Sequence, residues 1–175
     1  CHFKKLLIFT TNTKRMKLIR LTALTTMAFA LLVGITSCEK NAEKKKTTDY
    51  QKNDIPMTGA KVVPTSASPA LGNLNVFYTK ETRLLNYSFS WSGLSGNPIG
   101  VAIYGPVPEG YAINPATPIQ TISTTGLTTT GSKSGNLLAD GVVIKELDVL
   151  NGMYYVQIRT AAYPAGELRA QIKFQ

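Results

Sequence analysis

Between Leu85 and Ser92 the chain alternates without a break. Leu85, Tyr87, Phe89 and Trp91 fall on one side, and Asn86, Ser88, Ser90 and Ser92 on the other. A period of two is that of a half-buried β-strand, whose successive side chains point to opposite faces. The last segment repeats the pattern, with Leu168, Ala170, Ile172 and Phe174 opposed by Glu167, Arg169, Gln171 and Lys173. Shorter runs at Leu74–Tyr78, Gly100–Tyr104 and Met153–Thr160 predict further strands. Turn-forming clusters separate them: Lys80-Glu81-Thr82, Ser95-Gly96-Asn97-Pro98, Pro106–Gly110, Asn151-Gly152 and Tyr163-Pro164-Ala165-Gly166. Several short strands at this spacing predict an all-β domain, an antiparallel, Greek-key-like sandwich or barrel. One helical turn is expected at Ile144–Leu150, closed by Asn151-Gly152 as a left-handed cap. The Thr/Ser/Gly stretch Ser123–Gly135 reads as a long loop or hairpin tip. Trp91 continues the Leu85–Phe89 face and is expected in the core.

The N-terminal third follows other rules. The first Met is Met16, so residues 1–15 read as an over-extended start. Lys17 and Arg20 then form a basic region, Leu21–Val33 an apolar one, and small residues lead to Cys38. That order is a secretory signal, set aside in reasoning about the fold. The tetrad Ile35-Thr36-Ser37-Cys38 resembles the lipobox of bacterial lipoproteins, which implies cleavage before Cys38 and acylation of its thiol and new amino group. An uncleaved anchor is the alternative, but Thr22, Thr25 and Thr26 dilute a stretch already near the lower length limit for a span. Residues 39–54 contain almost nothing apolar and read as a disordered tether. The chain therefore divides into a signal peptide at 16–37, a lipidated Cys and tether at 38–54, and a β domain at 55–175.

Cleavage changes the electrostatics. The net charge is +9, from 19 bases and ten acids. Lys4, Lys5, Lys14, Arg15, Lys17 and Arg20 all precede Cys38 and every acid follows it, so the processed chain carries only +3. Nucleic acid binding would need a clustered basic face, and none remains. The run Lys44-Lys45-Lys46 lies in the tether as a solvated spacer near lipid headgroups. With Cys38 acylated and Cys1 upstream of the start, the domain has no thiol for a disulfide.

Beyond periodicity, a series of segments is informative: Thr58-Gly59-Ala60-Lys61-Val62-Val63-Pro64, Leu94-Ser95-Gly96, Val101–Pro106, Gly152-Met153-Tyr154-Tyr155-Val156 and Tyr163-Pro164-Ala165-Gly166-Glu167-Leu168-Arg169-Ala170-Gln171. In this order they resemble the CHRD domain, named from chordin and common in bacterial envelope proteins, over roughly Ile55–Gln175. The resemblance implies an antiparallel β-sandwich and no defined chemistry. It also exposes a departure. Where such domains carry histidines in an Ala-His-Ile-His-Gly-Pro segment and a Tyr-Val-Asn-Val-His-Thr strand, this chain has Ala102, Tyr104 and Arg159.

The chemistry on offer is sparse. After Cys38 there is neither His nor Cys, which removes the usual zinc and copper ligands and the histidine-based nucleophile arrangements. No catalytic residue, metal or cofactor is assigned. Glu81, Glu109, Asp140, Glu146, Asp148 and Glu167 are scattered through turns and loops. The expected function is a membrane-anchored, non-catalytic binding or structural module of the cell envelope, with an unknown protein or glycan partner. The alternative is an envelope hydrolase using carboxylates or a Ser-Lys pair. Tyr104, Arg159, Glu167 and Arg169 form the candidate binding patch, with lipidation at Cys38. The competing reading of that patch is an Arg159–Glu167 ion pair between adjacent strands on a solvated face. The mixed and then basic Glu39–Lys44 favours the periplasmic face of the outer membrane, with the cell surface as the other option.

Overall fold

The computed structural model describes residues 49–175. The expected signal peptide, Cys38 and most of the tether lie outside them. Eight strands follow in order: β1 (Tyr50–Thr58), β2 (Leu71–Thr79), β3 (Leu84–Ser92), β4 (Pro98–Tyr104), β5 (Gln120–Ile122), β6 (Gly131–Leu138), β7 (Tyr155–Thr160) and β8 (Leu168–Gln171). One short helix, α1 (Glu146–Leu150), precedes β7. All pairings are antiparallel, and the sheet runs β5-β4-β7-β8-β1-β2-β3-β6. The sheet curls until its two ends nearly meet, giving a barrel-like form. The Gln120 side chain bridges the gap, donating to Asn136 O at 3.1 Å and accepting from the Tyr87 hydroxyl at 3.0 Å.

The alternating segments bury the faces their patterns predict. Leu85, Tyr87, Phe89 and Trp91 join Leu74, Val76, Ile103, Val156, Ile158, Leu168, Ala170 and Ile172 in one core. Tyr87, Phe89 and Trp91 form a ladder with centroids 6.1 and 5.8 Å apart, each contact contributing about 1 kcal/mol beyond area burial. The Trp91 indole N–H donates to Thr128 O, so its polar end is satisfied in the core.

Two expectations are corrected, and one strand is added. Tyr50–Asp54, assigned to the tether, form the first half of β1. A bulge near Asp54, whose φ is +59°, interrupts its register with β2. That bulge and the exposed Gln51–Asp54 run hide the period of two. The stretch read as a loop up to Gly135 already contains most of β6. Its inward positions include Gly131 and Gly135, where an added Cβ would lie 2.8 Å from the Trp91 ring and 2.4 Å from the Tyr87 hydroxyl. The big rings of β3 need that space, so the strand shows no apolar alternation. The three-residue β5 was not predicted at all.

The helical turn is found. Asp140 Oδ1 accepts the backbone N–H groups of Val142, Val143 and Ile144, each at 2.9 Å, in the loop leading to α1. Those bonds hold the Asp140 carboxyl below its usual pKa. Gly152 closes the helix at φ +73°, as its position predicts.

Candidate functional site

One side of β4, β7 and β8 faces the main core. The other side carries the residues singled out by sequence. The register aligns Tyr104 with Tyr155 and Tyr155 with Gln171, then Ala102 with Gln157 and Gln157 with Arg169. Gly100 lies opposite Arg159. This second face is not open to solvent. The β4–β5 connection folds back across Tyr104, Arg169 and Gln171, and the β7–β8 turn covers Gln157, so all four are buried.

The covering segment has no strand or helix of its own, so its backbone groups need other partners. The buried side chains supply them. Arg169 Nη1 donates to Tyr111 O at 2.7 Å and Nη2 to Gln171 Oε1 at 2.9 Å. Gln171 Nε2 reaches Val107 O and Gly152 O. The Tyr104 hydroxyl donates to Pro115 O, while Tyr155 Oη accepts from the Ile113 N–H. The rings of Tyr104 and Tyr155 stack at 5.3 Å, and the Arg169 guanidinium lies 3.6 Å over the Tyr155 ring. Here Arg169 is a buried cation held by carbonyls and a π-face rather than by a contacting carboxylate. Burial pulls its pKa below the usual arginine value, with Tyr155 and Glu109 opposing. Burial likewise raises the Tyr104 pKa, against a lowering influence from Arg159.

Glu167 lies elsewhere. Its carboxylate accepts from the Ser68 hydroxyl at 2.7 Å, from Ser95 N and Oγ at 2.8 Å each, and closely from the Thr160 hydroxyl. Burial alone would raise its pKa, but these hydrogen bonds outweigh burial and hold it below the usual value. The carboxylate clamps two loops to the end of the barrel. Thr160 and Arg159 are successive residues of β7 and point to opposite faces, so the expected Arg159–Glu167 ion pair does not form. The described residues contain two ion pairs, Lys80–Glu146 and Lys173–Glu109.

The four expected patch residues thus separate. Tyr104 and Arg169 sit in the covered layer, Glu167 in its own network, and only Arg159 is partly exposed. The Arg159 guanidinium lies against Gly100, where an added Cβ would be 2.5 Å from Nη2. Its Nε is buried without a partner. Sequence reasoning missed Ser68, Ser95 and Thr160 as members of the Glu167 network. Only Thr160 carried a signal, as a polar residue on the core-facing register of β7.

The family model of the CHRD domain matches residues 54–172. The chain belongs to the CHRD family. No curated protein and no solved structure shows significant similarity to it. In this CHRD chain, Ala102 and Tyr104 on β4 and Arg159 on β7 share one side of the sheet. Tyr104 there anchors the covering segment through a hydroxyl to a backbone carbonyl. No group of three His, Cys, Asp or Glu side chains is placed to hold a metal among the described residues.

Proposed function

We propose that this CHRD chain is a lipid-tethered, non-catalytic binding module of the bacterial cell envelope. It is held by acylated Cys38 on the outer membrane, facing the periplasm, and takes a protein or glycan partner.

The observation that carries the reading is the commitment of the polar side chains to the fold. A general acid or base must exchange protons with a substrate. Glu167 is fully buried and its four hydrogen bonds favour the carboxylate form. Asp140 holds a loop, and Glu109 is paired with Lys173, whose hydrogen bond is the main cause of its lowered pKa. Each of these three carboxylates is thus engaged by the protein's own donors rather than offered to a substrate. Tyr104 and Arg169 are spent on the covering segment. Recognition then falls to the outer surfaces.

The tether rests on the sequence order from Met16 to Cys38. Eleven residues separate Cys38 from Tyr50, a reach of at most ~40 Å when fully extended. A domain on that leash stays close to the bilayer and meets partners at or near the membrane surface.

The test is fatty-acid labelling of the full chain in a Gram-negative host, followed by membrane fractionation. Wild type is expected to take up the label and sediment with membranes. Cys38→Ala is expected to lose the label and lipid-dependent sedimentation together. Label retained on Cys38→Ala refutes the tether.

A further inference from the structure

The outward face of β2, β3 and β6 has a composition that the fold does not require. Across these strands Asn73 faces Ser90, which faces Ser132; the next row is Asn75, Ser88 and Ser134. The third row is Phe77, Asn86 and Asn136, continued onto β1 by Gln51. On β2, β3 and β6 every position in the three rows apart from Phe77 is Ser or Asn, and none is charged.

Solvation alone does not select this set. Asn is disfavoured in strands, and an ordinary soluble surface carries roughly 25–35% charged residues. The small side chains leave a shallow groove of about 530 Å³ lined by Asn75, Ser88, Ser90, Ser132 and Ser134, with Lys133 and Phe89 at its walls. A second groove of about 170 Å³ shares Asn75 and Ser88 and runs on to Phe77 and Asn86. The two form one track across the strands, ending at a phenyl ring that is 37% exposed. The nearest ionised group on the β1 side, Asp54, is already engaged: its carboxylate accepts from Asn73 Nδ2 at 2.7 Å, and its N–H donates to Asn75 Oδ1.

Resting on the binding-module reading above, we infer that this track docks a neutral polysaccharide chain. Ser hydroxyls and Asn amides each both donate and accept, as sugar hydroxyls do. In the sheet they repeat at about 4.8 Å across strands and about 7 Å along them, giving a regular array of hydrogen-bonding groups. Phe77 offers an apolar plate for one face of a sugar ring. A protein partner would want an apolar centre within a polar rim; this face has the reverse order, a polar centre with exposed Leu71 and Leu138 in the flanking rows and Phe77 as the one ring. An anionic polymer would want a cluster of bases, and Lys133 is the single base lining the groove.

The experiment is affinity electrophoresis of the full chain through gels holding dextran, mixed-linkage β-glucan, galactomannan or xyloglucan, with alginate as the anionic comparison. At least one neutral polymer is expected to retard the wild type, unaffected by added salt. Ser88→Arg sets a long charged side chain in the middle of the track and is expected to weaken retardation at least tenfold. Phe77→Ala is expected to weaken it about three- to tenfold. Ser88 is exposed, and an unchanged melting profile confirms that its variant folds. No retardation by any of the four neutral polymers overturns the inference, as does retardation by alginate alone. A self-associated species that Ser88→Arg disperses assigns the face to a second copy of the chain, and also overturns it. If a polymer binds with Ser88→Arg unaltered, the face is wrong while the binding-module reading stands. If a bound oligosaccharide is recovered cleaved, the face stands and the non-catalytic reading falls.

Discussion

Replacing Glu167 by Ala lowers the stability of the domain by roughly 3–5 kcal/mol. Three hydroxyls and one backbone N–H converge on this carboxylate, and each donor left unpaired in the interior costs about 1–3 kcal/mol. Part of that sum is recovered by relaxation and water entry, which sets the upper end. Glu167→Gln keeps the shape and one acceptor oxygen, so its expected loss is smaller, about 1–3 kcal/mol. The two variants also separate in pH. The folded pKa of Glu167 lies below its ordinary value of 4.5. The stability it contributes is therefore fully present above that value and is lost as pH falls through the folded pKa. Urea unfolding followed through Trp91, the chain's one tryptophan, reads both effects. The gap between wild type and Glu167→Gln should narrow below about pH 4.5. A loss under 1 kcal/mol for Glu167→Ala at neutral pH contradicts this account of the network.

Arg169→Ala is expected to cost about 3–5 kcal/mol as well, for a different reason. Removing the side chain empties space under Tyr155 and strips the hydrogen-bond partners from Tyr111 O and Gln171 Oε1. The effect should be local as well as global. The segment between β4 and β5 loses one of its few anchors and should become sensitive to limited proteolysis before the barrel unfolds. Arg169→Lys retains a charge but neither the flat stack nor the two-pronged reach, so about 2 kcal/mol of loss is expected. A lysine variant as stable and as protease-resistant as wild type would show that charge alone holds the segment.

What could be read from the sequence follows the physics of each element. Strands buried on one face, such as Leu84–Ser92, announce themselves by alternation. β6 conceals itself because the rings of Trp91 and Tyr87 occupy the space beneath its glycines, and β1 because a bulge breaks its register. The polar residues on β7 and β8 were placed on the correct strands, and Arg169 and Gln171 do share a face. Alternation says which side a residue takes, but not what covers that side. The covering segment carries no periodic signal of its own, so Tyr104 and Arg169 were expected at a surface and lie in an interior. Glu167 departs for a similar reason. Its partners Ser68 and Ser95 are 99 and 72 residues away in sequence, beyond any local pattern. The Ser/Asn rows on β3 were legible from the start as the polar side of a strand. Their continuation on β2 and β6 emerged only once the register was known.

The central claim is that the polar layer on β4, β7 and β8 is sealed scaffold, which leaves recognition to the outer surfaces. Arginine-selective dicarbonyl labelling of the native protein, read by mass spectrometry, tests it most directly. Exposed Arg83 should react fastest, partly exposed Arg159 more slowly, and Arg169 only after the domain is unfolded. Reaction of Arg169 at a rate comparable to Arg83 in the folded protein would mean that the layer opens to solvent, and the patch would return as a binding site.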